Sequence, residues 1–294
     1  MILNLWMYKQ MDDAKLVIIG SKGQLGTALH EKYPRAQAVD VDELDITSHE
    51  AVQAFNWSDA KTILNVAAYT NVDGAETNEG RVAAWSVNAL GPRNLAKLAI
   101  KQNMTLFHIS TDYVFDGTHD NHTEDEQFSP LSVYGQSKAA GDLSVSLVPN
   151  HYILRTTWVI GEGKNFVRTM LDLGKKNVAP AVVTDQIGRL TFTSELVRVI
   201  DHFLQTTPNY GTYNATNNGS PSSWADITRK IFELANFNLP VTNTTTAEYF
   251  ANKPDIAPRP LNSVMDLGKL GLTGFIPRDW QEDLKAYIAK ELER

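Results

Sequence analysis

A tyrosine and a lysine four positions apart are the residues of this sequence best suited to acid–base chemistry. Tyr134 and Lys138 lie in a stretch with helical periodicity, so their side chains fall on one helix face about a turn apart. A phenol, whose ordinary pKa is about 10, exchanges a proton near neutral pH when a neighbouring ammonium stabilises its anion. Tyr-x-x-x-Lys also arises by chance in a chain with ten tyrosines, and an exposed helical pair is the alternative interpretation.

A hydroxyl side chain at the end of a predicted strand gives this pair a context. Thr111 follows the apolar run 105–109, and a hydroxyl there could reach the same carbonyl oxygen as the phenol of Tyr134. The three residues predict reduction of a ketone, in which Tyr134 donates the proton and Thr111 donates a second hydrogen bond. Lys138 would lower the pKa of the phenol and hold the ribose of a nicotinamide cofactor. This chemistry requires no metal ion, and we predict no metal site.

A glycine turn predicts where such a cofactor binds. Gly20, Gly23 and Gly26 stand between the apolar run 16–19, which predicts a buried strand, and the helical pattern 24–32. Glycine allows a positive φ and lets a pyrophosphate approach the backbone, while the free N–H groups of a helix N-terminus attract its charge. The spacing is GxxGxxG instead of the GxGxxG fingerprint, so an ordinary glycine loop is the alternative.

An acidic residue after the second predicted strand bears on the identity of the cofactor. Asp40 stands twenty residues beyond the first glycine, at the end of the apolar run 36–39, where its carboxylate could accept a ribose hydroxyl. Asp42 and Asp45 are alternatives for this role. Lys22, inside the glycine turn, would attract the 2′-phosphate of NADP, whereas Asp40 would repel it. The sequence therefore predicts NADPH or NADH without choosing between them.

Apolar runs alternate with helical patterns along the first half of the chain. The predicted strands are 16–19, 36–39, 62–66, 105–109 and 152–154, and the predicted helices are 24–32, 48–57 with Ser48 as N-cap, 79–102 and 133–147. Such alternation predicts an α/β fold with a doubly wound parallel sheet of the Rossmann type. Ligands of such sheets bind outside the carboxyl ends of the strands, where we expect Gly20, Asp40, 65–68, 110–111 and Arg155 to meet.

The pattern loosens after Gly161, which predicts a second, smaller lobe. Gly, Pro, Asn and Thr concentrate in 206–223 and 240–262. We predict an N-terminal extension at 1–15, an NAD(P)-binding Rossmann domain at 16–160 to which segments near 181–215 return, and a mainly substrate-binding lobe at 161–294.

Composition excludes several classes of function. The 294 residues carry a formal net charge of −7 and no long basic run, which argues against nucleic acid as a partner. The absence of cysteine excludes disulfides, a thiolate nucleophile and a cysteine zinc site. The apolar patch 1–8 is too short to span a membrane and lacks a basic start or a cleavage site. We therefore predict no membrane partner and a cytoplasmic location.

Several segments carry motifs that are specific when taken together. They are 20–26 (GSKGQLG), 44–47 (LDIT), 65–73 (NVAAYTNVD), 110–117 (STDYVFDG), 130–138 (PLSVYGQSK), 154–159 (LRTTWV), 185–188 (DQIG) and 259–266 (RPLNSVMD). In these segments the chain resembles the extended short-chain dehydrogenase/reductases and, among them, the dTDP-4-dehydrorhamnose reductase family. The resemblance runs from about residue 16 nearly to the end of the chain. Its most specific part is STDYVFDG with Tyr134 and Lys138, since the glycine turn is shared by the whole superfamily.

The resemblance implies NADPH- or NADH-dependent reduction of the C4 ketone of dTDP-4-dehydro-L-rhamnose to dTDP-L-rhamnose, the last step of dTDP-rhamnose biosynthesis. A dTDP-sugar is then the partner, and the catalytic roles fall to Thr111, Tyr134 and Lys138. The expected cofactor contacts are Gly20, Lys22, Gly23, Gln24, Leu25, Asp40, Asp45, Ile46, Ala67, Ala68, Tyr69, Asn88, Tyr134 and Lys138. The expected substrate contacts are Thr111, Tyr113, Trp158, Asn165, Gln186 and Arg189.

Other interpretations stay open beside this one. An epimerase or dehydratase of the same fold returns the hydride to the same sugar, although a dehydratase typically has Asp-Glu after the strand-end threonine, where this chain has Asp112 and Tyr113. A regulatory subunit of the same fold would hold the cofactor without turnover. Trp158 could instead pack in the core. Arg189 could lie at the surface, in a segment where the family usually has Pro-Thr.

The resemblance leaves assembly and metal binding open. We predict a monomer or a homodimer. Some members of the family are magnesium-linked dimers that use glutamates, and Glu291 or Glu293 match that role only superficially, because terminal helices often carry exposed glutamates. His119 and His122 have ligand-like spacing but no third ligand in register, so we predict solvated loop histidines.

Overall fold

The computed structural model describes residues 12–57, 59–251 and 256–294. Its strands are β1 Leu16–Ile19, β2 Gln37–Val39, β3 Thr62–Asn65, β4 Thr105–Thr111, β5 His151–Thr156, β6 Val159–Ile160, β7 Ala181–Val183, β8 Ile187–Gly188, β9 Thr191–Phe192, β10 Gly211–Asn214, β11 Ser222–Ser223 and β12 Thr242–Thr244. Its helices are α1 Gln24–Lys32, α2 His49–Ala54, α3 Asn78–Trp85, α4 Gly91–Gln102, α5 Val133–Val145, α6 Phe166–Lys175, α7 Thr193–Thr206, α8 Trp224–Leu234, α9 Thr246–Phe250, α10 Gly268–Gly271 and α11 Trp280–Leu292.

Six strands form one parallel sheet in the order β2-β1-β3-β4-β5-β10. The order of chain connection reverses at β1, which lies between β2 and β3, and a crevice opens at such a reversal. All four residues of β1, Leu16–Ile19, are buried because helices cover both faces of the sheet. The prediction of a doubly wound α/β fold is confirmed.

Each face of the sheet has its own apolar core. On one face α1 and α7 pack against the sheet through Leu29 and Phe203. On the other face α4 and α5 pack against it through Leu95 and Val145. Because successive side chains of a strand point to opposite faces, every second residue of β4 faces α5. His108 is one of these residues, and its ring lies against α5.

The helix predicted at 79–102 is interrupted in the structure. It consists of α3 and α4 with a π-helical turn, Ser86–Leu90, between them. Turns of this kind are frequent at functional sites because they displace side chains from the regular helix face. The predicted N-cap Ser48 is confirmed, since its Oγ accepts a hydrogen bond from the backbone N of Ala51 at 3.1 Å.

A third apolar core lies in the carboxyl-terminal part of the chain. Helices α6, α8 and α11 surround Trp280 and Phe192 there. The two-stranded ladders β6-β9, β7-β12 and β8-β11 lie outside the six-stranded sheet. Within the predicted returning segment 181–215, only α7 and β10 reach the main sheet. The predicted domain boundaries themselves stay a prediction.

The predicted extension at 1–15 falls mostly outside the described residues. From Asp12 onward, a 3-10 turn at Asp13–Lys15 leads into β1. In the part of the chain that the structure describes, no helix has the length and apolar character needed to cross a membrane.

Candidate active site

A cavity of about 1050 Å³ opens at the carboxyl ends of β1 to β5. Most of the residues predicted for the site line it: Gly20, Lys22, Gly23, Gln24, Leu25, Asp40, Asp45, Ile46, Ala67, Ala68, Tyr69, Thr111, Tyr113, Tyr134, Lys138 and Trp158. Other predicted residues lie outside its wall: Asn88, Asn165, Gln186 and Arg189. Arg155 was expected at this crevice, but it is buried and its Nε donates to Asp142 Oδ2 at 3.2 Å.

The turn after β1 packs directly on the loop after β3. Gly20 has φ +86°, and a Cβ at this position would lie 2.7 Å from the backbone N and Cα of Ala67. A Cβ at Gly26 would lie 2.1 Å from the carbonyl oxygen of Gly20, so α1 approaches the turn equally closely. Only glycine satisfies both the positive φ and the close approach at residue 20.

The N-terminus of α1 faces the cavity without a side-chain cap. Its N-cap is Gly23, which makes no side-chain hydrogen bond, so the first N–H groups of the helix are left to an anion. Gln24 also lines the cavity, and its buried Oε1 has no hydrogen-bond partner among the residues described. This arrangement fits the pyrophosphate of a dinucleotide.

The segment after β2 brings two carboxylates and a lysine together. Asp40 accepts hydrogen bonds from the backbone N of Val41 at 2.8 Å and of Lys22 at 3.0 Å, which fixes its carboxylate on the cavity wall. The ammonium of Lys22 lies 2.6 Å from Asp42 Oδ2, and both side chains are exposed. The hydrogen bond to Asp42 raises the pKa of Lys22, and the same bond lowers the pKa of Asp42.

The third acidic candidate, Asp45, forms a local turn beside Ile46. Asp45 Oδ1 accepts from the backbone N of Thr47 at 2.8 Å and from its hydroxyl at 2.7 Å. Asn94 Nδ2 donates to the carbonyl oxygen of Ile46 at 3.0 Å, which ties this segment to α4. Asp45 therefore shapes the wall of the cavity, which Asp40 also lines.

Asn88 supports the cavity from behind. Its side chain was expected to contact the cofactor directly, but in the structure it is 1% exposed and lies outside the cavity wall. Its Oδ1 accepts from the backbone N of Tyr69 at 2.9 Å, and its Nδ2 donates to Tyr69 O and to Ser137 Oγ, both at 3.0 Å. The π turn aims Asn88 at this loop, and Asn88 thereby joins Tyr69 to the helix that carries Lys138.

Thr111 lies where β4 ends and a 3-10 turn, Asp112–Val114, begins. Its hydroxyl accepts from the backbone N of Tyr113 at 3.2 Å and donates to Asp112 Oδ1 at 2.9 Å. Asp112 is 2% exposed, and burial raises the pKa of its carboxyl group. The rings of Tyr113 and Tyr134 meet edge to face, with centroids 5.5 Å apart, so the turn after β4 touches the start of α5.

Two hydrogen bonds hold the N-terminus of α5, which carries Tyr134. Ser132 Oγ accepts from the backbone N of Gly135 at 3.1 Å, and Glu76 Oε1 accepts from that of Val133 at 2.9 Å. A carboxylate at this end also complements the helix dipole. A Cβ at Gly135 would lie 2.2 Å from Tyr113 O, so α5 packs tightly on the turn after β4.

The phenol of Tyr134 is buried at the cavity wall. Burial raises the pKa of Tyr134 above its ordinary value, the carboxylate of Asp112 raises it further, and the neighbouring hydroxyl of Thr111 acts in the opposite direction. The expected lowering of the phenol's pKa by Lys138 is absent from these effects. The phenol of Tyr134 is therefore protonated at neutral pH.

The ammonium of Lys138 is enclosed by groups that sequence reasoning missed. Its Nζ donates to Ile109 O at 2.5 Å and lies 3.3 Å from Nε2 of His108. Burial lowers the pKa of Lys138 to about 8, and the nearby carboxylate of Asp142 acts in the opposite direction. The polar His108 inside an otherwise apolar strand pattern was the signal that could have revealed this cluster.

Trp158 forms the opposite wall of the cavity. Its backbone has φ +47°, which is a strained conformation for a bulky side chain. Its ring stacks on Trp224 with centroids 3.8 Å apart. A Cβ at Gly188 would lie 3.0 Å from the Trp158 ring, so this glycine provides the space the indole occupies. The same side chain thus packs in the lobe and faces the cavity.

Three residues predicted to contact the substrate lie outside the cavity wall, and their polar groups form hydrogen bonds within the lobe. Asn165 caps α6, and its Nδ2 donates to Gly161 O and to Tyr287 Oη, both at 2.8 Å. Gln186 is buried and donates to Thr246 Oγ1 at 3.0 Å. Arg189 donates to the carbonyl oxygens of residues 219 and 265 at 2.8 and 3.1 Å. Their polar groups form the hydrogen bonds that join separate segments of the lobe.

Two minor predictions are also corrected. His122 is fully buried, stacks on Phe115 at 4.8 Å, and lies 2.8 Å from the carboxylate of Glu126, so it is not a solvated loop residue. Glu291 is buried and accepts from Arg168 Nε at 2.8 Å. No group of three His, Asp or Glu side chains that could hold a metal ion occurs within the described ranges.

The fold and this site define a Rossmann-type protein of the short-chain dehydrogenase/reductase class. The family model described as "RmlD substrate binding domain" matches residues 14–293. The chain is 41% identical, over 92% of its length and 97% of the relative, to the dTDP-4-dehydrorhamnose reductase of Aggregatibacter actinomycetemcomitans. The chain therefore belongs to the RmlD family, the family of the dTDP-4-dehydrorhamnose reductases.

Solved structures agree with this assignment. A dTDP-4-dehydrorhamnose reductase from Clostridium acetobutylicum is 38% identical, with a TM-score of 0.87 over 95% of this chain and 99% of that one. A dTDP-4-dehydrorhamnose reductase from Bacillus anthracis in complex with NADP is 35% identical, with a TM-score of 0.85 over 94% and 98% of the two chains.

Proposed function

We propose that this protein reduces the C4 ketone of dTDP-4-dehydro-L-rhamnose to dTDP-L-rhamnose with NADPH or NADH. The observation that carries the proposal is the meeting of Thr111, Tyr134 and Lys138 in the cavity that the glycine turn borders. Membership of the reductase family supports the choice of substrate. The NADP in the relative from Bacillus anthracis supports the choice of cofactor class.

The residues around the glycine turn fit a dinucleotide. Gly20 and the uncapped start of α1 would hold the pyrophosphate, Asp40 would accept a ribose hydroxyl, and Ala67 and Tyr69 would border the rest. When bound, the nicotinamide would supply the hydride that reduces the carbonyl carbon.

Tyr134 serves as the proton donor in this proposal. The phenol is protonated at neutral pH, since its pKa lies above the ordinary value of about 10, so a proton is available as the ketone oxygen becomes an alkoxide. Thr111 adds a second hydrogen bond to that oxygen. Its hydroxyl donates to Asp112 in the structure, so the hydrogen has to turn from Asp112 into the cavity to reach a carbonyl.

Lys138 acts on Tyr134 through charge and position. An ammonium held near the phenol stabilises the phenolate that remains once the proton has left. Ile109 O fixes one of its N–H groups. Because Lys138 also lines the cavity, a remaining N–H can reach a ribose hydroxyl of the cofactor.

The assay for this function mixes the purified protein with dTDP-4-dehydro-L-rhamnose and, separately, NADPH and NADH. Loss of the reduced-nicotinamide absorbance, one equivalent for each dTDP-L-rhamnose formed, is the expected result. Cofactor binding with no oxidation would overturn the proposal and favour a cofactor-retaining epimerase or a regulatory subunit. If the reduced cofactor is oxidised only when another dTDP-keto-sugar is supplied, the proposed reaction holds and the proposed substrate is wrong.

A further inference from the structure

A cluster of buried polar side chains lies between the sheet and α5, directly behind Lys138. It contains Asn65 on β3, His108 on β4, Asp142 on α5 and Arg155 on β5, none more than 4% exposed. Burying such groups is costly unless they are paired, so their presence under an active-site lysine calls for an explanation. Asn65 and His108 are direct neighbours in the sheet register, which places the amide against the imidazole.

The ring of His108 lies between an amide and an ammonium. Its Nδ1 is 3.0 Å from the side-chain nitrogen of Asn65, and its Nε2 is 3.3 Å from Nζ of Lys138. Burial lowers the pKa of His108 well below its usual range, and the charge of Lys138 lowers it further. His108 is therefore neutral, with one ring nitrogen that donates and one that accepts.

The contacts of the ring decide which nitrogen carries the proton. An ammonium has only donors, so Nε2 has to be the acceptor that faces Lys138. Nδ1 then carries the hydrogen and needs an acceptor, which Asn65 provides when its amide oxygen faces the ring. That oxygen has no other hydrogen-bond partner among the residues that the structure describes, so a half-turn of the amide breaks no bond of Oδ1.

These contacts limit how the ammonium of Lys138 can point. Of its three N–H donors, one is directed to Ile109 O at 2.5 Å and one to His108 Nε2 at 3.3 Å. The third is left for the cavity that Lys138 lines. A Cβ at Gly141 would lie 2.2 Å from Asn88 O, so this glycine lets α5 pack closely on the π turn beside the cluster.

We propose that His108 is a positioning residue for Lys138: its neutral imidazole, protonated at Nδ1 and accepting at Nε2, holds the ammonium with one N–H directed at the cofactor ribose. This inference rests on the proposed function, because it assigns Lys138 to the active site. The charged groups around the ring are Lys138 and Asp142 from α5, with Arg155 of β5 pairing Asp142 on its far side at 3.2 Å. The facing residue of β3, Asn65, is uncharged.

The pH dependence follows from the lowered pKa of Lys138. This pKa lies at about 8, so the ammonium loses its proton as pH rises through that value, and kcat falls on the alkaline side. An acceptor at Nε2 stabilises the ammonium over the neutral amine. Removing the acceptor therefore moves the alkaline limb of the pH–kcat profile to lower pH. A substitution that keeps an acceptor at the same place leaves the limb where it is.

The test compares His108→Leu, which removes the acceptor, with His108→Gln, whose amide oxygen can replace Nε2. We expect His108→Leu to lower kcat about tenfold to a hundredfold, the usual value of a hydrogen bond to a charged group, and to move the alkaline limb down by about one pH unit. The KM for the sugar substrate should change little. His108→Gln should recover most of kcat and the position of the limb.

A matched control is His122→Leu, which removes another fully buried histidine whose ring bonds to Glu126 and Asn262 and not to Lys138. It should lower the temperature of unfolding and leave the alkaline limb in place. An unmoved limb in a folded His108→Leu, or equal behaviour of the Leu and Gln variants, would overturn the inference.

A second measurement needs no substrate and no variant. ¹⁵N NMR of the histidine side chains in the wild-type protein should show a neutral, buried ring with the hydrogen on Nδ1 across the neutral pH range. A hydrogen on Nε2 would refute the positioning role whatever the assay shows. Failure of the sugar assay with the Nδ1 signature intact would instead count against the proposed substrate alone.

Discussion

The glycine-turn side of the cavity and the lobe side are built in different ways. On the glycine-turn side, backbone groups of short turns after β1, β2 and β3 form the wall, and the residues that matter lie within a few positions of a strand end. On the lobe side, side chains are held by partners far away in the chain: Trp158 in the cavity wall stacks on Trp224, and Asn165 outside the wall bonds to Tyr287. The hydrogen bonding of a parallel sheet brings its strand ends to one edge, whereas the segments of the lobe are held together by individual side-chain contacts.

Tyr134→Phe is the sharpest test of what the two sides build together. The variant removes the proton donor and leaves the ring in its edge-to-face contact with Tyr113. We expect kcat to fall about a hundredfold to ten-thousandfold, the usual contribution of a positioned acid, with cofactor affinity retained. Steady-state rates and a cofactor titration by fluorescence check this. An unchanged kcat would remove Tyr134 from the mechanism.

Gly20→Ala tests whether the glycine-turn side depends on backbone contact. The alanine would keep φ near +86° while its Cβ met Ala67 backbone atoms at 2.7 Å. We expect a loss of about 3 kcal/mol or more in the free energy of unfolding and weaker cofactor binding, because strain and overpacking add. Urea denaturation and a cofactor titration measure the two effects.

The matched control is Gly274→Ala, at φ +85° with no atom within 4 Å of the added Cβ. This variant has the backbone strain without the close contact, so it should lower the free energy of unfolding by about 1 kcal/mol and leave cofactor binding unchanged. Equal losses in the two variants would mean that the close approach at Gly20 is unimportant.

The same contrast explains what could be predicted from the sequence. Gly20, Asp40 and Thr111 were placed correctly at the cavity because each follows an apolar run, and the ends of parallel strands converge. Gln186 and Arg189 lie outside the cavity wall, and the sequence could not show this because their hydrogen-bond partners stand 60 and 30 or more residues away.

The cluster behind Lys138 was missed for a related reason. His108 lies in a strand that is apolar on both sides of it, and its meaning depends on Asn65 and Lys138, 43 and 30 residues distant. A single buried polar residue in such a pattern indicates a special role but does not show which residues it contacts. The sheet register identifies one of these contacts, since it puts Asn65 beside His108.

Asn165→Ala tests the lobe side. The variant removes the N-cap of α6 and the bond to Tyr287, so we expect a loss of about 1–2 kcal/mol in the free energy of unfolding. The KM for the sugar should stay the same, because the amide is engaged within the lobe. Trp158→Phe, which alters the cavity wall itself, should raise that KM. A raised KM in Asn165→Ala would return this residue to the substrate site.

Asp42→Asn is the mildest change and addresses the choice of cofactor. In the structure the ammonium of Lys22 lies 2.6 Å from Asp42, and this ion pair would compete with the 2′-phosphate of NADPH for Lys22. Freeing Lys22 should lower the KM for NADPH no more than about fivefold, since exposed ion pairs contribute little. NADH has no 2′-phosphate and serves as the internal control, so its KM should stay constant. Equal changes in KM for both cofactors would show that Lys22 acts on the pyrophosphate that they share. A lower KM for NADPH alone, with a difference that shrinks as salt screens the charges, would show that Lys22 interacts with the 2′-phosphate.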